Sequence, residues 1–161
     1  MFSKILIANR GEIACRIIKT AKKMGIKTVS VCSEIDANSP HVLLADEFVN
    51  IGGSTSAESY LVIEKIISAM EISGAEAVHP GYGFLSENVN FCNAVNKAGK
   101  VFIGPPNKAI SVMGDKIESK KIAYDSGVSV VPGGIKIIDS IKNALKEASD
   151  IGYPVMVKAS A

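Results

Sequence analysis

The sequence predicts an α/β fold, an open doubly wound sheet of parallel strands, on two observations. One pattern recurs along the chain: an amphipathic stretch, a glycine, then a short apolar run. Gly25 precedes 27–32, Gly74 precedes 77–79, Gly99 precedes 101–103, Gly127 precedes 128–130 and Gly152 precedes 154–157. Glycine closes helices because it enters the left-handed region without a Cβ clash. The second observation is the period of the stretches before the glycines, whose apolar residues fall on one helical face. Helices alternating with short apolar strands build βα units and a largely parallel sheet.

Taken in order, residues 4–8 read as the first strand. The helix over 12–24 carries Ile13, Ile17, Ala21 and Met24 on one face and Arg16, Lys19 and Lys23 on another. Strands follow at 27–32 and 47–51. The helix over 61–73 buries Ile63, Ile66, Ile67 and Met70, and strands at 77–79 and 101–103 complete a set of five. A boundary falls near Gly114, giving a first domain over 1–114 and the opening segment of a second over 115–161. The second part is expected to hold a helix over 116–126, a strand at 128–130 and a turn at Pro132-Gly133-Gly134. A helix over 139–151 follows, with Asp139 or Ser140 as N-cap, then a terminal strand over 154–157 closed by Lys158. Ile141, Ala144, Leu145, Ala148 and Ile151 form the expected buried stripe of that last helix. This part is too short to bury a full core by itself.

Composition narrows the function classes. The 161 residues are 47% hydrophobic and 21% charged, ordinary for a globular protein. Net charge is +2, and only Arg10 and Arg16 of the 18 basic residues are arginine. The lysines are spread out, so the concentrated basic stripe of a nucleic-acid interface is missing. Cys15, Cys32 and Cys92 are far apart and read as small buried hydrophobes in a reducing compartment. With His41 and His79 the only histidines, no zinc site is expected. No apolar run is long enough to span a bilayer, and no targeting segment precedes the first strand. The expected location is the cytoplasm, or the mitochondrial matrix if a transit peptide has been removed.

In a doubly wound sheet ligands bind beyond the carboxyl ends of the strands, where the winding reverses. With strand order 3-2-1-4-5, that crevice lies between the first and fourth strands. The loops leaving them are Asn9-Arg10-Gly11-Glu12 and 80–87. A dinucleotide site needs three glycines after the first strand, and only Gly11 is there. The segment 79–88 is glycine-dense, with Tyr82 held between Gly81 and Gly83. It reads either as a ligand loop or as a structural turn with Tyr82 packed. Ser86 is expected to cap the next helix and Glu87 to occupy its first turn. His79 reads as a hydrogen-bonded structural histidine. Lys116 opens a helix after Gly114-Asp115, with Asp115 as a helix-start residue, and Lys158 ends an apolar strand. Each either meets an anionic ligand, such as phosphate, or reaches water. Arg10 and Glu12 bind ligand, pair with each other or cap the first helix.

Several segments, in order, carry a family resemblance: 4–14, 41–47, 79–88, Phe102-Ile103-Gly104-Pro105, Met113-Gly114-Asp115-Lys116 and Lys158-Ala159-Ser160. Together they resemble biotin carboxylase over essentially the whole chain. Segments 114–120 and 158–161 are most similar to the α subunits of acyl-CoA carboxylases, the propionyl-CoA type in particular. The resemblance implies a Rossmann-like pre-ATP-grasp domain followed by the start of an ATP-grasp domain. It implies ATP-dependent carboxylation of biotin by bicarbonate through carboxyphosphate, with magnesium or manganese. By matching position, Lys116 and Lys158 would contact ATP, and Tyr82 and Gly83 would border the biotin pocket. The implied partners are the remainder of the α subunit, a biotin carboxyl carrier domain holding the biotin, and a carboxyltransferase β subunit; no nucleic acid or membrane is implied. The family's glycine-rich lid, metal-binding glutamates, bicarbonate-binding residues and biotin-handling arginine would lie beyond Ala161. No catalytic or metal-binding residue is therefore assigned here, and the chain alone is expected to be inactive. The alternatives are pyruvate carboxylase, another ATP-grasp ligase such as a carbamoyl-phosphate-forming enzyme, or a non-catalytic interaction module.

Overall fold

A computed structural model describes residues 1–114, 116–133 and 138–157. The chain divides into two compact units, Met1–Ile110 and Ser111–Ala161. In the first, β1 (Lys4–Ile7), β2 (Lys27–Cys32), β3 (Glu47–Asn50), β4 (Ala77–His79) and β5 (Val101–Phe102) form one sheet. Its order is β3-β2-β1-β4-β5 and every pairing is parallel. The doubly wound α/β fold is thus as expected, and the order 3-2-1-4-5 is the one that places the crevice between β1 and β4, where the winding reverses.

Alternation along β1 decides which helix covers which face. Ile5 and Ile7, with Ala77 of β4, pack on α1 (Gly11–Lys23) through Ile13, Ala14, Ile17, Ile18 and Ala21. Leu6 and Ala8, with Val29, Val31 and Val78, face the other way. They meet Ile66, Ala69 and Met70 of α3 (Ile63–Ser73) and Phe91, Cys92 and Val95 of α4 (Val89–Lys97). Both sheet faces are therefore buried, which is why the Ile5-Leu6-Ile7 stretch of β1 reads as a continuous apolar run. Leu6, Ile7 and Ile18 are fully buried, each contributing about 1.5–3 kcal/mol of transfer free energy. Phe91 and Phe102 meet edge to face at 5.8 Å, tying α4 to β5. A short α2 (Pro40–Leu44) packs beside α1, with His41 and Val42 buried.

The α3 terminus shows the glycine rule at work. Gly74 adopts φ +69, and its N–H reaches back to the carbonyls of Met70 and Glu71. Leu61, expected inside this helix, lies before it in a turn that follows a 3₁₀ turn at Ser56–Glu58. That turn carries a capping box, in which Thr55 and Glu58 satisfy each other's backbone N–H groups.

The second unit departs further from expectation. It begins within α5 (Asn107–Gly114), which the apolar pattern did not reveal, and continues through α6 (Lys116–Asp125) and α7 (Ile141–Ile151). Ser140 is the N-cap of α7, accepting from the Asn143 N–H at 3.3 Å. Residues 128–130 and 154–157 form no strand. An isolated extended segment has no ladder to join, and no sheet exists among the described residues of this unit. The α7 stripe is not buried either: Ile141 is 82% exposed and Leu145 60%. Its periodicity is amphipathic, but no described residue of this unit is buried against it. Lys158, which was to close the terminal strand, lies outside the described residues, as does Asp115.

Candidate functional site

The site is built where β1 and β4 end side by side. The Ala8 N–H donates to the His79 carbonyl at 3.0 Å, carrying the pairing one residue past the strands. Asn9 follows and is buried, 4% exposed. Its Nδ2 donates to the carbonyls of both Pro80 and Tyr82 at 2.8 Å, and its Oδ1 accepts from the Arg10 N–H at 2.9 Å. One amide side chain therefore fixes the course of the 80–83 loop against the end of β1. In a buried amide with its donors and acceptor satisfied, the hydrogen bonds offset the cost of desolvation, and the group specifies geometry.

Gly81 is required twice over. It adopts φ +68, and a Cβ there would sit 2.6 Å from Asn9 Nδ2. Its N–H donates to His79 Nδ1 at 3.0 Å, which leaves the ring proton on Nε2. Burial, with the charge of Arg16 as a lesser cause, holds His79 below the ordinary imidazole value, so the ring is neutral at physiological pH. His79 is hydrogen-bonded, as expected.

Tyr82 projects outward, 64% exposed, with its hydroxyl 3.5 Å from Glu12 Oε2. Gly83 follows at φ +64, and a Cβ built on it would meet nothing within 4 Å. Phe84 then takes φ +46, the one non-glycine in the left-handed region among the described residues. The Ser86 N–H closes the turn onto the Gly83 carbonyl at 2.9 Å, and Leu85 anchors it in the core. Ser86 is thus a turn donor, and the helix cap expected of it belongs to Asn88, whose Oδ1 accepts from the Phe91 N–H at 3.0 Å. Glu87 lies outside α4 for the same reason: the chain spends residues 83–88 turning before the helix starts.

Arg10 and Glu12 do not pair with each other. The Arg10 guanidinium pairs with Asp36, Nη1 to Oδ2 at 3.0 Å. Its Cζ lies 5.3 Å from the Tyr60 ring centre and 5.7 Å from that of Phe84. Those two rings stack at 5.2 Å, 6° from parallel. Asp36 Oδ2 also accepts from the Tyr60 hydroxyl and the Ser33 hydroxyl, each at 2.8 Å. Burial alone would raise the Asp36 carboxyl, but donation from Tyr60, Ser33 and Arg10, and the arginine charge, hold it below the ordinary value. Burial lifts the Tyr60 hydroxyl well above its ordinary value, and its bond to Asp36 adds to that. The sequence reading missed Asn9, Asp36 and Tyr60. An amide directly after an apolar strand was a visible signal for the first; nothing local announced the other two.

Of the residues singled out, Tyr82, Gly83, Arg10, Glu12 and His79 come together at the β1/β4 crevice. Lys116 opens α6 in the second unit, and Lys158 is outside the described residues. Among the described residues no group of three or more His, Cys, Asp or Glu could hold a metal ion. No described helix is long and apolar enough to cross a membrane. A shallow depression of about 310 Å³ between β3 and α3, lined by Val49, Lys65, Ala69 and Ile72, lies away from this loop.

A family profile described as biotin carboxylase, N-terminal domain, matches residues 1–110. The chain belongs to that family. A second profile, the ATP-binding domain of the carbamoyl-phosphate synthase L chain, matches residues 115–161. The propionyl-CoA carboxylase alpha chain of Ruegeria pomeroyi is 57% identical over 161 residues, all of this chain and 24% of that protein. The mitochondrial propionyl-CoA carboxylase alpha chain of Homo sapiens is 52% identical over 160 residues, 99% of this chain and 22% of that protein. This biotin carboxylase N-terminal domain chain therefore spans about a quarter of the length of these relatives. Among solved structures, the biotin carboxylase domain of Hydrogenobacter thermophilus 2-oxoglutarate carboxylase, in complex with MgADP, ADP and bicarbonate, superposes with a TM-score of 0.88 at 46% identity. The match covers 99% of this chain and 35% of that one.

Proposed function

We propose that this chain is the N-terminal part of an ATP-dependent biotin carboxylase, the α subunit of an acyl-CoA carboxylase of the propionyl-CoA type. The observation that carries the reading is the 57% identity, along the full chain, with the Ruegeria pomeroyi propionyl-CoA carboxylase alpha chain. Residues 1–114 form the Rossmann-like N-terminal domain and 115–161 open an ATP-grasp domain. The division into two units and the two separate profile matches support that reading.

In the proposed reaction ATP and bicarbonate furnish an activated carboxyl group, and biotin, carried on another domain, offers a ureido nitrogen to receive it. The loop at the β1/β4 crevice fits such a ring. The Tyr82 side chain is exposed, and the space beside Gly83 is open, so a flat ligand can approach the backbone closely. Tyr82 and Gly83 border that pocket. The Asn9 amide holds the pocket loop, and the neutral His79 braces Gly81 without adding charge. Lys116 and Lys158 neutralise the phosphates of ATP, electrostatic stabilisation that supplies most of the catalysis in phosphoryl transfer. Magnesium or manganese would serve the same end by neutralising charge on the same phosphates. The partners are the rest of the α subunit, the biotin carrier domain and a carboxyltransferase β subunit, in the cytoplasm or the mitochondrial matrix.

Titration calorimetry of the chain with Mg-ATP, together with a bicarbonate-dependent ATPase assay, tests this. The chain alone is expected to release no ADP. A complete α subunit carrying it should cleave ATP, and lose that activity with Lys158→Ala. Turnover by the chain alone, or full activity of the lysine variant, would overturn the assignment.

A further inference from the structure

The loop that presents Tyr82 and Gly83 contains an unfavourable element that its own sequence does not explain. Phe84 sits at φ +46, where a bulky side chain is strained, although glycine stands beside it at position 83. Such a conformation persists only when the surroundings over-determine it. The surroundings here are specific. The Phe84 ring lies flat against Tyr60, and the Arg10 guanidinium is within reach of both ring faces. Arg10 is in turn held by Asp36, whose same oxygen also accepts from the Tyr60 hydroxyl. The carboxylate thus orients both groups that grip Phe84. These contacts come from three separate places in the chain: the exit of β1, the exit of β2 and the turn before α3.

We propose that Arg10, Asp36 and Tyr60 are positioning residues: they clamp Phe84 in its left-handed conformation and so set where Tyr82 and Gly83 meet the biotin ring. The last clause rests on the pocket reading above; the clamp itself does not. Arginine suits the task because its planar cation can stack on rings while pairing with a carboxylate, which lysine cannot reproduce. Neither Arg10 nor Asp36 need touch the ligand.

Two measurements separate the parts. The Ser86 amide, bonded to the Gly83 carbonyl across Phe84, reports the clamp by hydrogen exchange in this chain. Asp36→Asn and Arg10→Lys should each speed Ser86 exchange by about tenfold while the amides of β1 and β4 keep their protection. Asp46→Asn serves as control, because Asp46 binds Thr28 and Lys22 at the opposite end of the strands. It should leave Ser86 unchanged. Ser86 exchange unaltered in Asp36→Asn and Arg10→Lys, or equally altered by the control, overturns the clamp. In the complete α subunit, Asp36→Asn should raise KM for free biotin by roughly tenfold with little loss of biotin-independent ATPase. If Tyr82→Ala raises that KM and Asp36→Asn does not, the clamp does not set the pocket and the proposal is wrong. If Tyr82→Ala also leaves KM unchanged, the pocket reading fails instead, and the clamp is decided by Ser86 exchange alone.

Discussion

Replacing Gly81 with alanine should be among the most damaging single-methyl changes in the first unit, and the structure supplies the magnitude. The residue sits at φ +68, where an L side chain costs about 1–2 kcal/mol. The new Cβ would also fall 2.6 Å from Asn9 Nδ2, 3.0 Å from its Cγ and 3.1 Å from its Cβ. Asn9 cannot swing aside cheaply, because Nδ2 is committed to the Pro80 and Tyr82 carbonyls and the side chain is buried. Relief requires breaking at least one of those bonds, which adds about 1–2 kcal/mol. The total is roughly 3 kcal/mol, or a urea midpoint lowered by ~1.5 M at a typical slope. Far-UV circular dichroism through a urea titration measures it, with an unchanged slope as the sign that compactness is preserved. The double variant Asn9→Ala/Gly81→Ala sharpens the test. Removing the amide makes room for the methyl, so the pair should cost about 1 kcal/mol less than the sum of the singles. Strict additivity, or a Gly81→Ala midpoint within error of the wild type, would refute the claim that Asn9 packs the loop.

Two further expectations follow from the same coordinates. Asn88→Ala removes the N-cap of α4 and should cost about 1 kcal/mol, whereas Ser86→Ala, which keeps the turn's backbone bond, should be near neutral in the same titration. Stability should fall as the solution is acidified from neutrality. Burial holds His41 and His79 below their ordinary 6.5, so folding favours the neutral rings, and that contribution is lost as pH drops through and below this value. A second loss follows below 3.8, where the depressed Asp36 and Asp46 carboxyls take up protons. A urea midpoint that rises between pH 7.5 and pH 5 would contradict the sign of the first effect.

Part of this protein was legible as text because its cause is local. The doubly wound sheet could be anticipated because βα units announce themselves by period and glycine. Given the order 3-2-1-4-5, the 9–12 and 79–88 loops must lie side by side, and the structure has that order and joins them through Asn9. Other expectations failed for reasons equally physical. A cap depends on where a turn ends, and the left-handed pair Gly83 and Phe84 delays α4 until Asn88 can serve. The α7 stripe has the right period, yet periodicity says only which face could be buried; Ile141 and Leu145 remain exposed. Residues 128–130 and 154–157 have apolar strand composition but no neighbour to pair with among the described residues of their unit.

The sequence by itself therefore determined the fold class, the position of the glycine-dense 79–88 loop and the family to which the chain belongs. Those follow from short-range rules: side-chain period, glycine's freedom at positive φ, and ordered motifs. Tertiary structure alone decided what holds that loop in shape. Asn9 lies some seventy positions from its carbonyl partners, and Arg10, Asp36, Tyr60 and Phe84 meet from four separate segments. Such contacts exist only after the sheet has brought its strand ends together, so no local pattern could have named them.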